Sequence, residues 1–384
     1  MKYMIIAGEA SGDLHASRLI AEIKKREPKA EFRFVGGDLM AKAAGREPEL
    51  HYRELNVMGF SEVLRKLPHI LSSFRHVVRL IDSFGPDRVV LVDYPGFNLK
   101  VAKAAHKRGI ETHWYISPKV WAWKEWRVKK IKKWVDYMYS ILPFETEFYK
   151  KRGYDSISYI GNPSVEEIDY ALGHIPPLRH FLERNGLTDP RPIIALLPGS
   201  RKGEIKCNLP VMIEAAKKFK DFQIVVGAAP SIPEKFYREV ANDPGLTVVF
   251  GATTPLLKYS AAAVVTSGTA TLETALIGTP QVVCYRSNGS KLTYKIMRKL
   301  VKVNYVSLPN LITGNKTVPE LLLHYCTPEA IYRELTPLLQ NSPGRDWQIK
   351  GYRLMRNKLG NSVAPSCAAE IMDARDEARE EVPS

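Results

Sequence analysis

The stretch IIALLPGSRKGEIKCNLPVMIEAAKKF, residues 193–219, decides the fold class. It opens with five apolar residues, passes through a loop that contains glycine, serine and arginine, and continues into an amphipathic segment at Leu209–Phe219. A short apolar run bounded by turn residues is typical of a buried strand, and the following segment is typical of a helix that packs on a sheet. The stretch therefore predicts one strand–loop–helix unit of a parallel sheet.

The same order of strand and helix recurs in two series along the chain. The predicted strands are Tyr3–Ala7, Glu31–Val35, Arg88–Val92, Glu111–Ile116 and Tyr137–Leu142 in the first series, and Ile193–Leu197, Gln223–Val226, Leu246–Phe250, Ala263–Thr266 and Gln281–Cys284 in the second. Between them, Asp169–Arg191 has the Pro-rich composition of a linker. We predict an α/β protein with two Rossmann-like domains that face one cleft, and we expect its chemistry in the loops after strands.

Composition limits the classes of function. The 384 residues carry a net charge of +15, although the last fifteen are acidic, so we expect an anionic partner: nucleic acid, a membrane surface or a phosphorylated substrate. The four cysteines lie far apart in the sequence and predict neither a zinc site nor disulfides. The apolar run after Met1 is too short for a signal peptide, which favours a cytoplasmic location.

Two loops of the second series have the composition of phosphate sites. In the first, Gly199 and Ser200 would present backbone amides and Arg201 a planar guanidinium. The second begins a helix, where N–H groups attract anions, and its residues are Ser267, Gly268 and Thr269, with Glu273 placed to accept from ribose hydroxyls. The alternative for the second loop is an ordinary capped helix. Two such loops in one domain favour a nucleoside diphosphate.

Two loops of the first series carry carboxylates. Gly8–Asp13 follows the first strand and contains Glu9, and its alternative interpretation is a tight turn capped by Ser11 or Asp13. Asp93 ends an apolar strand, where partial burial would raise its pKa toward that of a general base. The alternative for Asp93 is a turn-stabilising role in an Asp-x-Pro-Gly loop.

Two further segments mix basic and apolar residues. The stretch 114–134 holds five of the six tryptophans and suits single-stranded nucleic acid, a membrane interface, or a solvated helix face over an aromatic core. Val57–Phe84 has helical apolar spacing with interspersed Arg, Lys and His. It fits either protein core or an amphipathic surface for anionic lipid.

Taken together, the motifs resemble the lipid-A-disaccharide synthase family, inverting glycosyltransferases of the two-domain GT-B fold. The matching segments occur in the family's order: AGEASGD (7–13), VMGFSEVL (57–64), DYPGFN (93–98), YISPKVWAW (115–123), ILPFE (141–145), LLPGSRKGEI (196–205), TSGTATLE (266–273), YRSN (285–288) and NYVSLPNLITG (304–314). The combination, especially the tryptophan-containing segment and YVSLPNL, is specific and spans almost the whole chain.

The resemblance implies a substrate pair and a division of labour between domains. The family joins UDP-2,3-diacylglucosamine to 2,3-diacylglucosamine 1-phosphate and releases UDP. Residues 1–168 would then form the acceptor and membrane-facing domain, completed by helices in 350–384, and residues 169–349 would bind the UDP-sugar. The resemblance adds Tyr285 and Asn310 to the nucleotide-binding set. It also implies an anionic inner-membrane surface as a partner, with a peripheral location there, and leaves a homodimer open.

Three departures from the family pattern change which residues are expected to be catalytic. Gly96 stands where many members have a second acid, Asn162 replaces a histidine, and Lys119 replaces a smaller polar residue. Asp93 is therefore the expected base and Glu9 the second candidate, while Arg201 would stabilise the leaving phosphate. No DxD-type motif lies beside the nucleotide loops, so we expect no metal and no cofactor.

Two rival functions fit parts of the sequence. A UDP-sugar epimerase of the same fold would use the same nucleotide loops without needing a lipid surface. A nucleic-acid-binding protein would use the positive charge and show salt-dependent binding, but it would leave the glycine–hydroxyl loops without a role. We therefore expect no nucleic acid among the partners.

Overall fold

The computed structural model describes residues 1–55, 67–122, 124–286, 304–361 and 364–380. The side chains of Leu67 and of residues 374–380 are outside this description. The chain divides into two compact units, the first formed by Met1–Pro163 with Ser362–Ser384 and the second by Ser164–Asn361. The chain thus leaves the first unit, builds the second, and returns to the first.

A seven-stranded sheet forms the centre of the described part of the first unit, in the order β3-β2-β1-β4-β5-β6-β7, and every pairing is parallel. Its strands are β1 Lys2–Ala7, β2 Glu31–Gly36, β3 Leu50–His51, β4 Arg88–Val92, β5 Glu111–Tyr115, β6 Tyr137–Ser140 and β7 Ile157–Tyr159. Both faces are covered, because Ile5 and Met4 on neighbouring positions of β1 belong to two separate apolar clusters. Burial on both faces explains the continuous apolar runs in the sequence.

Helices cover this sheet. They are α1 Ala10–Arg26, α2 Asp38–Ala44, α3 Tyr52–Leu55, α4 Leu67–Phe84, α5 Pro95–His106, α6 Val128–Trp134 (preceded by a 3₁₀ turn, Glu125–Arg127), α7 Pro143–Lys150 and, after the second unit, α17 Ala364–Glu380. The last helix packs on α1, where Arg26 Nη2 donates to Ser366 Oγ at 3.0 Å and Ala364, Ala368 and Met372 are buried. The C-terminal helix is therefore part of the first core.

The second unit has a six-stranded parallel sheet in its described residues, ordered β10-β9-β8-β11-β12-β13. Its strands are β8 Ile193–Leu197, β9 Gln223–Ala228, β10 Thr247–Phe250, β11 Ser260–Thr266, β12 Gln281–Tyr285 and β13 Glu320–Leu322. Its helices are α8 Pro163–Gly173, α9 Leu178–Arg184, α10 Lys202–Ala216, α11 Glu234–Ala241, α12 Thr253–Lys258, α13 Thr269–Ile277, α14 Leu308–Thr313, α15 Pro328–Leu335 and α16 Pro343–Leu359. The first residue of α8, Pro163, still belongs to the first unit. The predicted pair of parallel-sheet Rossmann-like domains is confirmed.

Two boundaries differ from the sequence prediction. The predicted linker 169–191 contains the end of α8 and all of α9, and Phe181 of α9 is buried. Residues 350–361, expected with the first domain, belong to the second unit, because Tyr352 and Gln348 of α16 hydrogen-bond to Gln281 at the base of β12. Among the described helices, none is both long enough and apolar enough to cross a membrane.

Candidate active site

The carboxyl edge of the first sheet brings the two predicted carboxylates onto neighbouring strands. Glu9 follows β1 and Asp93 follows β4, and these strands pair directly, with Ala7 opposite Val92. Asp93 and the following Tyr94 both have left-handed backbone conformations, with φ of 42° and 45°. Asn98 fixes this turn, since its buried Nδ2 donates to the carbonyls of Asp93 at 2.8 Å and Val92 at 3.2 Å. A strained turn that is held this firmly is typical of functional positions.

The electrostatic surroundings of Asp93 favour a proton acceptor. Burial raises the pKa of Asp93, and the negative charge of Glu9 raises it further. The positive charge of Lys119, in the loop after β5, opposes both and lowers the pKa, with a smaller contribution from the Tyr94 backbone N–H. Because its pKa is raised overall, the Asp93 carboxylate accepts a proton more readily than an exposed aspartate does.

The Gly8–Asp13 loop has a different internal structure from the one expected. Asp13 does not cap α1; its buried carboxylate accepts from the backbone N–H groups of Gly37 at 2.7 Å and of Leu39 and Met40 at 3.1 Å. Asp13 therefore caps α2 from a distance. Glu9 is the residue that precedes α1, and its side chain makes no cap hydrogen bond and is exposed.

Sequence reasoning missed Glu145, a fully buried carboxyl at the start of α7. It accepts hydrogen bonds from Ser117 Oγ, from Ser140 Oγ at 2.5 Å and from Trp121 Nε1 at 2.8 Å. Burial raises its pKa to about 7, although these three donors and Lys119 act in the opposite direction. Glu145 thus ties the loops after β5 and β6 together. The sequence signal lies in two segments: YISPKVWAW contains the donors Ser117 and Trp121 after β5, and ILPFE contains the acceptor Glu145 at the start of α7.

The two phosphate-type loops of the second unit lie on neighbouring strands. β8 pairs with β11 in parallel, and Leu197 lies opposite Val265, so the loops that follow both strands begin at the same edge of the sheet. Adjacent strands are about 4.8 Å apart, well within the length of a nucleotide. The loops that contain Gly199–Arg201 and Ser267–Thr269 thus start at neighbouring strand ends, and their joint binding of one nucleotide stays a prediction.

Glu204 occupies the first of these loops. The backbone N–H of Ser200 donates to Glu204 Oε2 at 3.1 Å, and Arg201 Nη1 lies 3.6 Å from Glu204 Oε1. Gly199 has φ of 120°, and a Cβ atom there would lie 2.6 Å from Glu204 Oε2. The Glu204 carboxylate thus contacts the same Ser200 N–H and Arg201 guanidinium that a phosphate would use. The Arg201 side chain is nevertheless 73% exposed.

The second loop and β12 present further polar groups. Gly268 precedes α13, and the hydroxyl of Thr271 donates to its carbonyl at 2.8 Å, while Thr269 is exposed. Burial, reinforced by the charge of Glu167, raises the pKa of Glu273. Tyr285 ends β12, the strand next to β11, and is half-buried. Gly268 and Thr269 follow β11, Tyr285 ends the neighbouring β12, and Glu273 lies in the second turn of α13.

Asn310 does not fit the expected nucleotide-binding role. It is fully buried, its Oδ1 accepts from the backbone N–H groups of Thr317 and Val318 at 2.7 and 2.8 Å, and its Nδ2 donates to Glu320 Oε1 at 2.8 Å. Glu320 also accepts from the backbone of Val306 and Ser307. Asn310 therefore holds the chain around α14 in place, and both ends of its amide are engaged inside the protein.

The aromatic and amphipathic segments divide between core and surface. Trp114 is fully buried and Trp121 nearly so, whereas Trp126 is 57% exposed; Trp123 lies outside the described residues. Of Val57–Phe84, residues 57–66 lie outside the described part. In α4, Val77 and Ile81 are core, Ile70 packs against that core, and Leu71 is 37% exposed.

The fold and the site define a nucleotide-sugar enzyme of the GT-B class: parallel-sheet Rossmann-like units, a carboxylate of raised pKa in one and paired phosphate-type loops in the other. Among the described residues, no three His, Cys, Asp or Glu side chains are grouped so as to hold a metal ion. Comparisons with known proteins agree with this class of enzyme and identify the family within it.

A sequence profile of the lipid-A-disaccharide synthetase family matches residues 3–372. The chain is 41% identical to lipid-A-disaccharide synthase of Myxococcus xanthus, with 96% of each chain covered. It is 38% identical to that of Syntrophus aciditrophicus, with 95% of each covered. The chain belongs to the lipid-A-disaccharide synthetase family and is a glycosyltransferase.

Solved structures show the fold relationship. UDP-GlcNAc 2-epimerase from Neisseria meningitidis, bound to UDP-GlcNAc, has a TM-score of 0.65 at 13% identity, covering 98% of this chain and 100% of its own. A glycosyltransferase from Rickettsia africae has a TM-score of 0.58 at 14% identity, covering 99% of each chain. At this identity the likeness extends to the fold alone.

Proposed function

We propose that the protein transfers 2,3-diacylglucosamine from UDP-2,3-diacylglucosamine to 2,3-diacylglucosamine 1-phosphate, with inversion at the anomeric carbon and release of UDP. The observation that supports this proposal beyond family membership is the pairing of β8 with β11, because the loops with Gly199–Arg201 and Ser267–Thr269 follow these two strands at the same edge of the sheet. The second unit binds UDP through these residues, with Glu273 on the ribose and Tyr285 nearby. The first unit binds the acceptor.

The leaving group requires charge stabilisation rather than covalent catalysis. When the bond from the sugar to the β-phosphate breaks, negative charge develops on that phosphate. Arg201 provides a planar guanidinium, and the N–H groups at the start of α13 point toward the same edge of the sheet. These groups take the place of a divalent ion. For Arg201 to do so, it leaves its 3.6 Å contact with Glu204 for the phosphate.

Asp93 acts as the base on the acceptor. The acceptor 6-hydroxyl attacks the anomeric carbon from the face opposite UDP, forming the new C–O bond as the bond to the β-phosphate breaks. Its proton passes to the carboxylate of Asp93, whose pKa is raised by burial. Glu9, on the neighbouring strand end, is the second candidate for this role.

The epimerase alternative is favoured only by the fold likeness to UDP-GlcNAc 2-epimerases. The two reactions separate in one assay, in which UDP release from the acylated donor is followed with and without acylated acceptor. Transfer requires the acceptor, and the product is a disaccharide phosphate. Conversion of a UDP-sugar to its epimer in the absence of acceptor would refute the transfer reaction.

We further propose a peripheral location on an anionic inner-membrane surface, through the Val57–Phe84 segment and nearby cations. Both substrates carry acyl chains, and exposing them to water costs about 0.8 kcal/mol per methylene. Each lysine or arginine near the surface adds about 1 kcal/mol of attraction. A homodimer remains an additional prediction.

Vesicle binding tests the membrane proposal. It should require anionic lipid, fall with ionic strength, and weaken in Leu71→Ser, whose side chain is 37% exposed. Leu178→Ser, at a 46% exposed position of the second unit, is the matched control. Circular dichroism establishes that both variants are folded. Unchanged binding of a folded Leu71→Ser variant would exclude this part of α4 as the anchor.

A further inference from the structure

A groove in the first unit has an apolar floor and a cationic rim. It lies among α4, α5 and the 125–134 segment, with a volume of about 570 Å³, which is within the range of roughly 300–1,000 Å³ typical of small-molecule sites. Phe74, Val78 and Leu99 contribute to its floor, and Trp126 and Trp134 flank it. An apolar floor of this kind suits a hydrocarbon chain.

The rim is formed by cations on two helices. Lys100, Lys103 and Lys107 recur at helical spacing along α5 and its end, so they share one face. Lys130 approaches from α6. Arg108 is also at the rim, but it pairs with Asp82 at 2.5 Å. Within the described ranges, Lys100, Lys103, Lys107 and Lys130 form no ion pair, so they can attract an external anion.

Two of these cations converge on one indole ring. Lys103 Nζ lies 5.5 Å and Lys130 Nζ 6.0 Å from the centroid of Trp134, and Lys130 lies 4.9 Å from that of Trp126. Among the described residues, neither lysine has a carboxylate within ion-pair distance. Both ammonium groups are held near the groove by contact with the ring, and two like charges attracted to one side chain favour binding of a phosphate, which would lower their mutual repulsion.

One end of the groove lies close in sequence to the candidate base. Pro95 and Gly96, which begin α5 and line the groove, come after the Asp93–Tyr94 turn. From Gly96 to Lys107 the helix rises about 16 Å, at 1.5 Å per residue. A ligand that lies along α5 therefore extends from the Asp93 turn to the lysine cluster.

We propose that this groove binds the acylated acceptor, with an acyl chain on the floor and its phosphate between Lys103 and Lys130. The assignment rests on the proposed transferase function, since it is the acceptor of that reaction that carries both a phosphate and acyl chains. It gives the Trp126 and Trp134 pair a role as the walls of a lipid site rather than as a nucleic-acid surface.

A direct binding experiment uses the tryptophans as reporters. Bromododecyl phosphate should quench the fluorescence of the intact protein saturably, because bromine quenches an indole that it contacts. It should bind about tenfold more tightly than bromododecanol, which has the same chain without the charge. Trp126→Phe should reduce the amplitude of quenching. Equal affinity for the phosphate and the alcohol would overturn the proposal.

Charge reversal tests the position of the phosphate. Lys103→Glu and Lys130→Glu should each weaken binding of bromododecyl phosphate about tenfold. Lys133→Glu makes the same charge change at an exposed position of α6 that does not line the groove, and it should have little effect. Equal losses in all three variants would mean that net charge alone attracts the probe, and the groove would be excluded.

Kinetics distinguish an acceptor site from a general lipid site. In neutral detergent micelles, Lys103→Glu and Lys130→Glu should raise the KM for the acceptor about tenfold and leave the KM for the UDP-sugar unchanged. Loss of binding to phosphatidylglycerol vesicles with an unchanged acceptor KM would assign the groove to membrane lipid and refute the proposal. If the unaltered protein made no disaccharide, the transferase proposal would fail independently of the quenching result.

Discussion

A Cβ atom on Gly8 would lie 2.4 Å from Cδ1 of Tyr94. The ring of Tyr94 therefore occupies the space that any other residue at position 8 would need. Its hydroxyl is anchored by donation to the carbonyl of Leu55 at 3.1 Å, so the ring has little freedom to move away. The loop after β1 thus packs against the loop after β4 at Gly8 and Tyr94, and Tyr94 is the residue that follows Asp93.

Gly8→Ala should consequently impair transfer. The added methyl displaces Tyr94 and with it Asp93, and a displacement of about 1 Å at reacting groups costs about a hundredfold. We expect kcat to fall by about that factor while UDP affinity, which we propose resides in the second unit, is unchanged. Gly173→Ala, where no atom lies within 4 Å of the new Cβ, is the control and should retain activity.

Asp93→Asn should abolish most of the transfer while leaving UDP binding intact. Loss of a general base typically costs about 10²–10⁴ in rate. Steady-state kinetics and calorimetric titration of UDP measure the two effects separately. Turnover near that of the unaltered enzyme would remove Asp93 as the base, and Glu9→Gln would then be the variant expected to lose activity.

The charges around Asp93 should shift the pH profile in opposite directions. Lys119 lowers the pKa of Asp93, so Lys119→Ala should raise it and move the acidic limb of kcat/KM to higher pH. Glu9 raises the same pKa, so Glu9→Gln should move the limb to lower pH. Shifts of the same sign in both variants would mean that another group controls the limb.

Arg201→Ala should weaken transfer by about 3 kcal/mol, or about a hundredfold in rate, if the guanidinium meets the departing phosphate in a desolvated complex. Lys206→Ala removes an exposed cation from α10 without touching the loop and should have little effect. Rates measured at saturating donor separate the two variants. Equal losses would point to general attraction of the anionic donor rather than to a specific contact.

Glu145→Gln should flatten the dependence of stability on pH. Burial raises the pKa of Glu145 from 4.5 to about 7, so over that range the folded state binds more protons than the unfolded state. The stabilisation by the neutral carboxyl is therefore fully present below pH 4.5 and lost as pH rises through 7. Since one pKa unit corresponds to 1.36 kcal/mol, the difference is roughly 1–3 kcal/mol.

Denaturant titrations at pH 4.5 and above 7 measure this difference. The unaltered protein should lose more stability than Glu145→Gln as the pH rises, because only its carboxyl must ionise in the core. Glu166→Gln, at an exposed position, should follow the unaltered protein. Parallel curves for all three proteins would show that Glu145 does not titrate in this range.

The sequence correctly predicts the longer strands of both sheets. It also predicts that the candidate site residues follow the ends of strands. Strands such as Arg88–Val92 are buried on both faces, so their apolar runs are unbroken and easily recognised. β3 and β13, with two and three residues, leave no such pattern. Helix α9 was hidden because the prolines flanking it resemble those of a linker, although Pro177 is its N-terminal cap.

Side-chain roles are harder to predict because they depend on distant partners. Asp13 has the sequence position of a local helix cap, yet its carboxylate accepts hydrogen bonds from backbone N–H groups within Gly37–Met40. Asn310 occurs in a family-specific motif, and its side-chain amide is hydrogen-bonded to groups within residues 317–320. Such pairings arise only when separate strands and helices come together, so spacing within one segment does not reveal them.

The return of the chain to the first unit gives the protein an order of assembly. Helix α17 covers Leu19, Ile20 and Ile23 of α1, but about 200 residues of the second unit separate it from Pro163. At roughly 5–20 residues per second, a ribosome needs roughly 10–40 s to make that insertion. During this interval α1 exposes the apolar face on which α17 later packs, so the first unit completes its core only after the second unit has been made.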